Sequence, residues 1–101
     1  MDKRLTWSPE AVEDLEAIAE FIGRDSAFYA NAVVSKVLAV SRNLSEAPLI
    51  GRIVPELDDS QIRERFVYSY RLIYRVRDNE ILVVAISHGK RLIEGVAERF
   101  E

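Results

Sequence analysis

Cysteine is absent from the 101-residue sequence, and histidine occurs only once, as His88. These absences exclude a disulfide framework, a thiolate-bound zinc or iron–sulfur site, a cysteine nucleophile and a site with several histidine ligands. The chain also lacks a glycine-rich phosphate loop and a nucleophile elbow. We therefore expect neither a metal nor a cofactor.

Long apolar segments are missing as well. The longest uninterrupted apolar run, Ile81–Ile86, is far shorter than the ~20 residues that cross a bilayer. The first residues lack the apolar stretch of a signal peptide. We expect a cytoplasmic protein without a membrane partner. Its 49% hydrophobic and 31% charged residues predict one folded domain over residues 1–101.

The net charge of −3 conceals an uneven distribution. Between residues 61 and 77 a single acidic residue, Glu64, accompanies five arginines: Arg63, Arg65, Arg71, Arg75 and Arg77. A concentrated positive field attracts polyanions or acidic segments even on an acidic protein. We predict that this stretch binds RNA or an acidic partner.

Two helices are predicted in the first half of the chain. Ser8–Glu10 has the N-cap and first-turn residues of a helix that should end near Gly23. Asp25 or Ser26 can cap a second helix, which should end at Pro48. Because the link between them is short, the helices should form an antiparallel hairpin.

Strands are predicted on both sides of the hairpin, at Lys3–Trp7, Ile62–Tyr68, Tyr70–Arg77 and Glu80–Ser87, with a turn at Asp78–Asn79. Residues 48–55 should form an ordered loop without regular structure, and Leu92–Phe100 a short last helix. The resulting fold class is α+β: an N-terminal strand and the helix hairpin pack on a twisted, mainly antiparallel four-stranded sheet.

The third predicted strand alternates between two kinds of side chain. Tyr70, Leu72, Tyr74 and Val76 should point to one face, and Arg71, Ile73, Arg75 and Arg77 to the other. This pattern predicts one packed face and one cationic face. The large aromatic residues are expected in the core or in the hairpin packing: Trp7, Phe21, Phe28, Tyr29 and Phe66.

Four segments in this order resemble the RelE/ParE toxin superfamily of type II toxin–antitoxin modules. They are Ser8–Leu15, Pro48–Leu57 with its Pro-x-x-Gly-Arg-x-x-Pro-Glu-Leu pattern, Tyr70–Val76 and His88–Arg91. The resemblance spans nearly the whole chain and is closer to the ParE branch in the helix hairpin and in the Pro48–Leu57 loop. It implies a RelE/ParE-like fold and a toxin neutralised by a cognate antitoxin.

Members of this superfamily differ in target, and the resemblance implies two alternatives. ParE-like members poison DNA gyrase without known catalysis, whereas RelE-like members cut mRNA on the ribosome. We favour gyrase, because the net acidic charge is unusual for a protein acting within ribosomal RNA and the RelE-like C-terminal tyrosine is replaced by Ala97. A third hypothesis is an inactive homologue that only binds its antitoxin.

If the chain were an endonuclease, the resemblance would place Arg71 and Arg91 on the scissile phosphate, with His88 or Glu56 in proton transfer. Partner or nucleic-acid binding would involve the wider basic set: Arg63, Arg65, Arg71, Arg75, Arg77, Lys90 and Arg91. Simpler interpretations stay open at this point. His88 can be structural, Arg71 solvated, and Glu56 a loop carboxylate paired with an arginine.

Overall fold

The computed structural model describes residues 2–89 and 94–100, apart from the side chain of Glu94. Within these residues the helices are α1 (Pro9–Gly23), α2 (Ala27–Asn43) and α3 (Glu94–Ala97), followed by a 3₁₀ segment, Glu98–Phe100. The strands are β1 (Arg4–Trp7), β2 (Arg52–Ile53), β3 (Ile62–Val67), β4 (Tyr70–Val76) and β5 (Glu80–His88). The predicted α+β class is confirmed.

The sheet order is β1-β5-β4-β3-β2, with β1 parallel to β5 and the other pairs antiparallel. The prediction of four strands is wrong by one, since the described residues contain a fifth, β2. This strand lies inside the segment expected to be irregular. Arg52 and Ile53 pair there with Glu64 and Arg63 of β3 at the edge of the sheet. A short edge strand is compatible with the nearby Pro48 and Pro55, because prolines are tolerated at sheet edges.

The two predicted helices form for the expected local reasons. The Ser8 hydroxyl accepts a hydrogen bond from the Ala11 N–H at 3.1 Å, and Ser26, not Asp25, caps α2 through the Tyr29 N–H at 3.0 Å. The second helix ends at Asn43, before Pro48, and irregular turns fill the interval. No helix in the described part of the chain is long and apolar enough to cross a membrane.

Two turns set the limits of the antiparallel strands. Tyr68 has a φ of 54°, so β3 ends at Val67, one residue earlier than predicted. The turn at Asp78–Asn79 is confirmed, with the Arg77 N–H donating to the Glu80 carbonyl at 2.9 Å. Of the predicted last helix, residues 92 and 93 lie outside the described residues.

Hydrophobic packing covers both faces of the central strands. On one face α2 contributes Val33 and Val37, and its C-cap residue Leu44 joins them in a core with Leu72 and Tyr74. On the other face a smaller cluster unites the 54–57 loop with the sheet and the C-terminal segment: Val54, Leu57, Ile62, Ile73, Ala85, Val96 and Phe100. Because both faces are packed, the apolar run in β5 is buried, apart from the half-buried Leu82.

The aromatic residues depart from expectation. Phe21, Phe28, Tyr29 and Phe66 are between 51% and 84% exposed, and only Trp7 of the expected set packs against the core. Periodicity could not reveal this, because aromatic residues are frequent both in cores and on interaction surfaces.

Candidate functional site

Strand register divides the predicted basic cluster between the two faces of the sheet. Directly paired residues project to the same face. Arg63 pairs with Tyr74 and Arg65 with Leu72, on the helix-covered face. Arg71 pairs with Phe66 and Arg75 with Ile62, on the face covered by the loop. The five arginines therefore do not form one continuous patch.

Arg71 is buried, so the expectation of an outward-facing arginine is wrong. Only 4% of Arg71 is exposed. Its Nη1 and Nη2 donate to the two carboxylate oxygens of Glu56 at 2.8 and 2.7 Å, and its Nε donates to Glu64 at 2.6 Å. Two-point contacts of this kind are the strong form of an arginine–carboxylate pair. The alternative in which Glu56 pairs with an arginine is confirmed.

Glu64 extends this arrangement to a second arginine. Its carboxylate is fully buried and accepts from Arg71 on one oxygen and from Arg52 Nε on the other. Arg52, which is 58% exposed in its side chain, also lies over the ring of Phe66, with 5.1 Å from Cζ to the ring centroid. We call Arg52, Glu56, Glu64 and Arg71 the charge quartet; its formal charges cancel.

The quartet changes the acidity of its members in the directions that pairing predicts. The hydrogen bond from Arg71 is the largest cause that lowers the pKa of Glu56 from 4.5 to about 2. In return, the hydrogen bond to Glu56 raises the pKa of Arg71. At neutral pH both groups are ionised, and Glu56 is unprotonated and already paired, which is unfavourable for a general acid.

Three other arginines of the cluster also have partners within the chain. Arg63 donates to the backbone carbonyls of Ser60 and Gly51, at 3.0 and 2.9 Å. Arg77 pairs with Glu80 at 3.1 Å, and Arg75 lies over the Phe100 ring at 5.7 Å. The local excess of four positive charges is therefore reduced by Glu56 and Glu80, acids that lie outside the counted stretch.

His88 lies at the exposed end of β5, on the face opposite to Arg71. It pairs with Tyr70, and their rings meet edge to face with centroids 5.8 Å apart. Together they border a groove of about 550 Å³ beside α1, lined by Asp14, Ala17, Ile18, Phe21, Tyr70, Ile86 and His88. The structure thus brings Arg71 and Glu56 together and places His88 elsewhere. Lys90 and Arg91 lie outside the described residues.

A second contact attaches the same loop to β4. The Tyr74 hydroxyl donates to the Pro48 carbonyl at 2.8 Å and accepts from the Gly51 N–H at 3.0 Å. A Cβ at Gly51 would lie 2.6 Å from both that hydroxyl and the Glu64 carbonyl, so only glycine fits. Burial is the main cause that raises the pKa of the Tyr74 phenol.

Two features of the site escaped sequence reasoning. In the sequence, Glu64 enters only the charge balance of residues 61–77, and its burial is not predicted. A single acidic residue on an arginine-rich strand is the signal that could have indicated a buried ion pair. Asp14 binds Arg99 through both oxygens, at 2.7 and 3.2 Å, and also accepts from the Ile86 N–H at 3.0 Å. No local pattern connects residues so far apart in the chain.

Two of the four motifs that carried the resemblance therefore meet in space, with Pro48, Gly51 and Glu56 attached to Tyr74 and Arg71. A family model described as ParE toxin of type II toxin–antitoxin system, parDE, matches residues 5–93. This chain belongs to the ParE toxin family. It is accordingly a type II toxin of the RelE/ParE superfamily, as the resemblance predicted.

Comparison with individual proteins agrees with this family. The toxin is 30% identical over 90 residues to Toxin RelE2 of Caulobacter vibrioides, covering 88% of this chain and 98% of that relative. Among solved structures, the chromosomal ParDE system of P. aeruginosa matches with a TM-score of 0.71 and 20% identity, over 85% of this chain and 95% of that one. A free-state E. coli RelE variant matches with a TM-score of 0.67 and 17% identity, over 98% of this chain and 94% of that one. These structural matches support the fold alone.

Proposed function

We propose that this toxin stops growth by binding DNA gyrase, without catalysis of its own, and that a cognate antitoxin neutralises it. The carrying observation is the charge quartet. Arg71, the arginine that the endonuclease hypothesis places on the scissile phosphate, has all three of its donor nitrogens on Glu56 and Glu64. A phosphate would have to displace a carboxylate before Arg71 could stabilise developing charge.

The separation of His88 from Arg71 supports the same proposal. General acid–base catalysis requires the proton-transfer group within hydrogen-bond reach of the reacting atoms, directly or through one water. His88 lies on the helix-covered face and Arg71 on the loop-covered face. The family match to a ParE toxin model over residues 5–93 points in the same direction.

Ribosome-dependent mRNA cleavage is the second candidate. The relative named Toxin RelE2, which this chain covers over 98% of its length, favours it. In that mechanism Arg71 and Arg91 would contact the phosphate, and His88 or Glu56 would transfer protons. The wider basic set, including Arg63, Arg65, Arg75, Arg77 and Lys90, would hold the RNA or the acidic antitoxin.

Controlled induction without antitoxin separates these functions. New mRNA 5′ ends and gyrase-linked DNA breaks would be mapped in the same cells, and a strain carrying a toxin-insensitive gyrase would serve as control. We expect DNA breaks with intact messages. Cuts at codon spacing on translated messages alone would overturn the gyrase proposal in favour of the enzyme, and growth without either lesion would leave only antitoxin binding.

A further inference from the structure

The outer edge of the Arg71 guanidinium is held by a carboxylate that is itself partly exposed. Glu64 is fully buried and holds the inner edge of the group, with its Oε1 at 2.6 Å from both Nε and Nη2. Glu56 holds Nη1 and Nη2, and its own side chain is 41% exposed. Of the two acids, therefore, only Glu56 can leave without bringing a buried charge to the surface.

An exposed aromatic ring and a second arginine lie near Arg71. Phe66, directly paired with Arg71, is 51% exposed, and Arg52 lies over its ring. Gly89 lies beside the aliphatic part of Arg71, where a Cβ would be 3.6 Å from the Phe66 ring and 3.9 Å from Arg71 Cγ.

We propose that the outer edge of Arg71 is a carboxylate-binding site, occupied by Glu56 in the free chain, in which an aspartate or glutamate of a partner protein replaces Glu56. Charge favours a carboxylate over a phosphate. Without Glu56, the quartet would retain two arginines and Glu64, a single net positive charge. One carboxylate restores neutrality, whereas a phosphate dianion adds a further negative charge beside the buried Glu64.

Replacement of Glu56 by a partner carboxylate would not require the loop to leave the sheet. Glu56 lies two residues after Val54, which is fully buried and donates its N–H to the Ile62 carbonyl at 3.1 Å. The loop therefore remains attached when the Glu56 side chain leaves Arg71. A partner carboxylate would thus contact Arg71 with little rearrangement of the backbone. Only the identity of the partner, the antitoxin, rests on the proposed function. The site itself is inferred from the charge quartet.

Chemical rescue tests the site on the full chain without an antitoxin. In Glu56→Ala the outer edge of Arg71 is vacant, and acetate should fill it. At constant ionic strength, with chloride as the balancing ion, we expect acetate above its Kd to raise the Tm of this variant by about 5 °C. The wild type should not respond, and neither should Glu80→Ala, which removes a carboxylate from the more exposed arginine Arg77.

Two further probes define the ligand. N-acetylglutamate amide, which carries a glutamate side chain on a backbone, should raise the Tm of Glu56→Ala as acetate does. Inorganic phosphate should give less than half of the Tm increase that acetate gives. Equal responses in all three proteins would overturn the site, and a larger response to phosphate would overturn its carboxylate preference.

If Glu56→Ala does not fold, Glu56→Ser replaces it, with the Arg71 Nη–H resonances followed during the acetate titration. Resonances that do not move would contradict the proposal. The gyrase assay is independent of these measurements, so either proposal can fail alone.

Discussion

Single residues attach the Pro48–Leu57 loop to the sheet, and they coincide with the motifs that suggested the family. Tyr74 binds Pro48 and Gly51, and Arg71 binds Glu56. The tyrosine and the arginine of β4 therefore have structural partners on opposite faces of the same strand. Loop attachment therefore explains the tyrosine and the arginine of the β4 motif.

Replacing Tyr74 by phenylalanine should lower the free energy of unfolding by about 1–3 kcal/mol, because it leaves the Gly51 N–H and the Pro48 carbonyl without their partner. Urea denaturation measures this change. Tyr68→Phe is the matched control, since Tyr68 is 59% exposed, and it should change stability by less than about 0.5 kcal/mol. Equal effects of the two substitutions would contradict the assigned role.

The pairing of Glu56 predicts a defined pH dependence of stability. Its pKa is about 2 in the folded chain, against 4.5 when unperturbed. A lowered folded pKa stabilises the protein above the unfolded value and loses that contribution as the pH falls from about 4.5 towards 2. Because the carboxylate is partly exposed, solvent screening limits the contribution to about 1–2 kcal/mol.

In Glu56→Gln this contribution is missing at every pH. We expect the variant to be less stable than the wild type at pH 7 and to approach it as the pH falls to 2, in thermal unfolding measured across that range. A stability difference that stays constant between pH 7 and pH 2 would show that the ionised pair does not stabilise the fold.

At the scale of elements, residues 94–100 contact the body through the Asp14–Arg99 ion pair, a hydrogen bond and apolar packing. Arg99 donates to Asp14 of α1 and to the Val84 carbonyl of β5 at 2.9 Å. Val96 and Phe100 pack against the loop-side cluster. Since α3 has only four residues, its docking depends on these contacts rather than on helix propensity.

Replacing Arg99 by glutamine should release this segment locally more than it destabilises the whole protein. Amide hydrogen exchange of residues 94–100 should accelerate about tenfold, while the protected amides of β4 and β5 change little. Arg24→Gln is the control, because Arg24 pairs at 3.8 Å with Glu20 on an exposed helix surface. Unchanged exchange at 94–100 would mean that the apolar contacts alone hold the segment.

At the scale of the whole molecule, the sheet separates two surfaces with different chemistry. The helix side carries His88 and the groove beside α1, and the loop side carries the charge quartet. Exposed aromatic side chains occur on both, with Phe21 beside the groove and Phe66 beside Arg52. A small toxin that contacts an antitoxin and a target has two distinct surfaces available.

This separation predicts that His88 does not act together with Arg71. Growth inhibition on induction should persist in His88→Gln, with the number of surviving cells within about threefold of wild type. The folded fraction of the variant, measured by circular dichroism, is the control. A loss of toxicity of a hundredfold or more in a folded protein would favour the enzymatic alternative, because removal of a general acid or base typically costs that much.

The sequence by itself determined the two long helices, four of the five described strands, the Ser8 cap and the family, and it pointed to Arg71 and Glu56, because these depend on local periodicity and motif spacing. It could not determine that Arg71 is buried or that Glu56 and Glu64 neutralise it. Contacts between Glu56 and Arg71, or Asp14 and Arg99, depend on how the chain returns on itself.

Tertiary structure alone decided which charges meet. Strand register assigns each arginine to a face, and a shift of one residue would reverse that assignment. The pairing of β2 with β3 brings Arg52 to Glu64, and the attached loop brings Glu56 to Arg71. Electrostatic energy depends on distance and burial, so Arg71 of the arginine-rich stretch became part of a neutral quartet whose centre, Arg71 and Glu64, is buried.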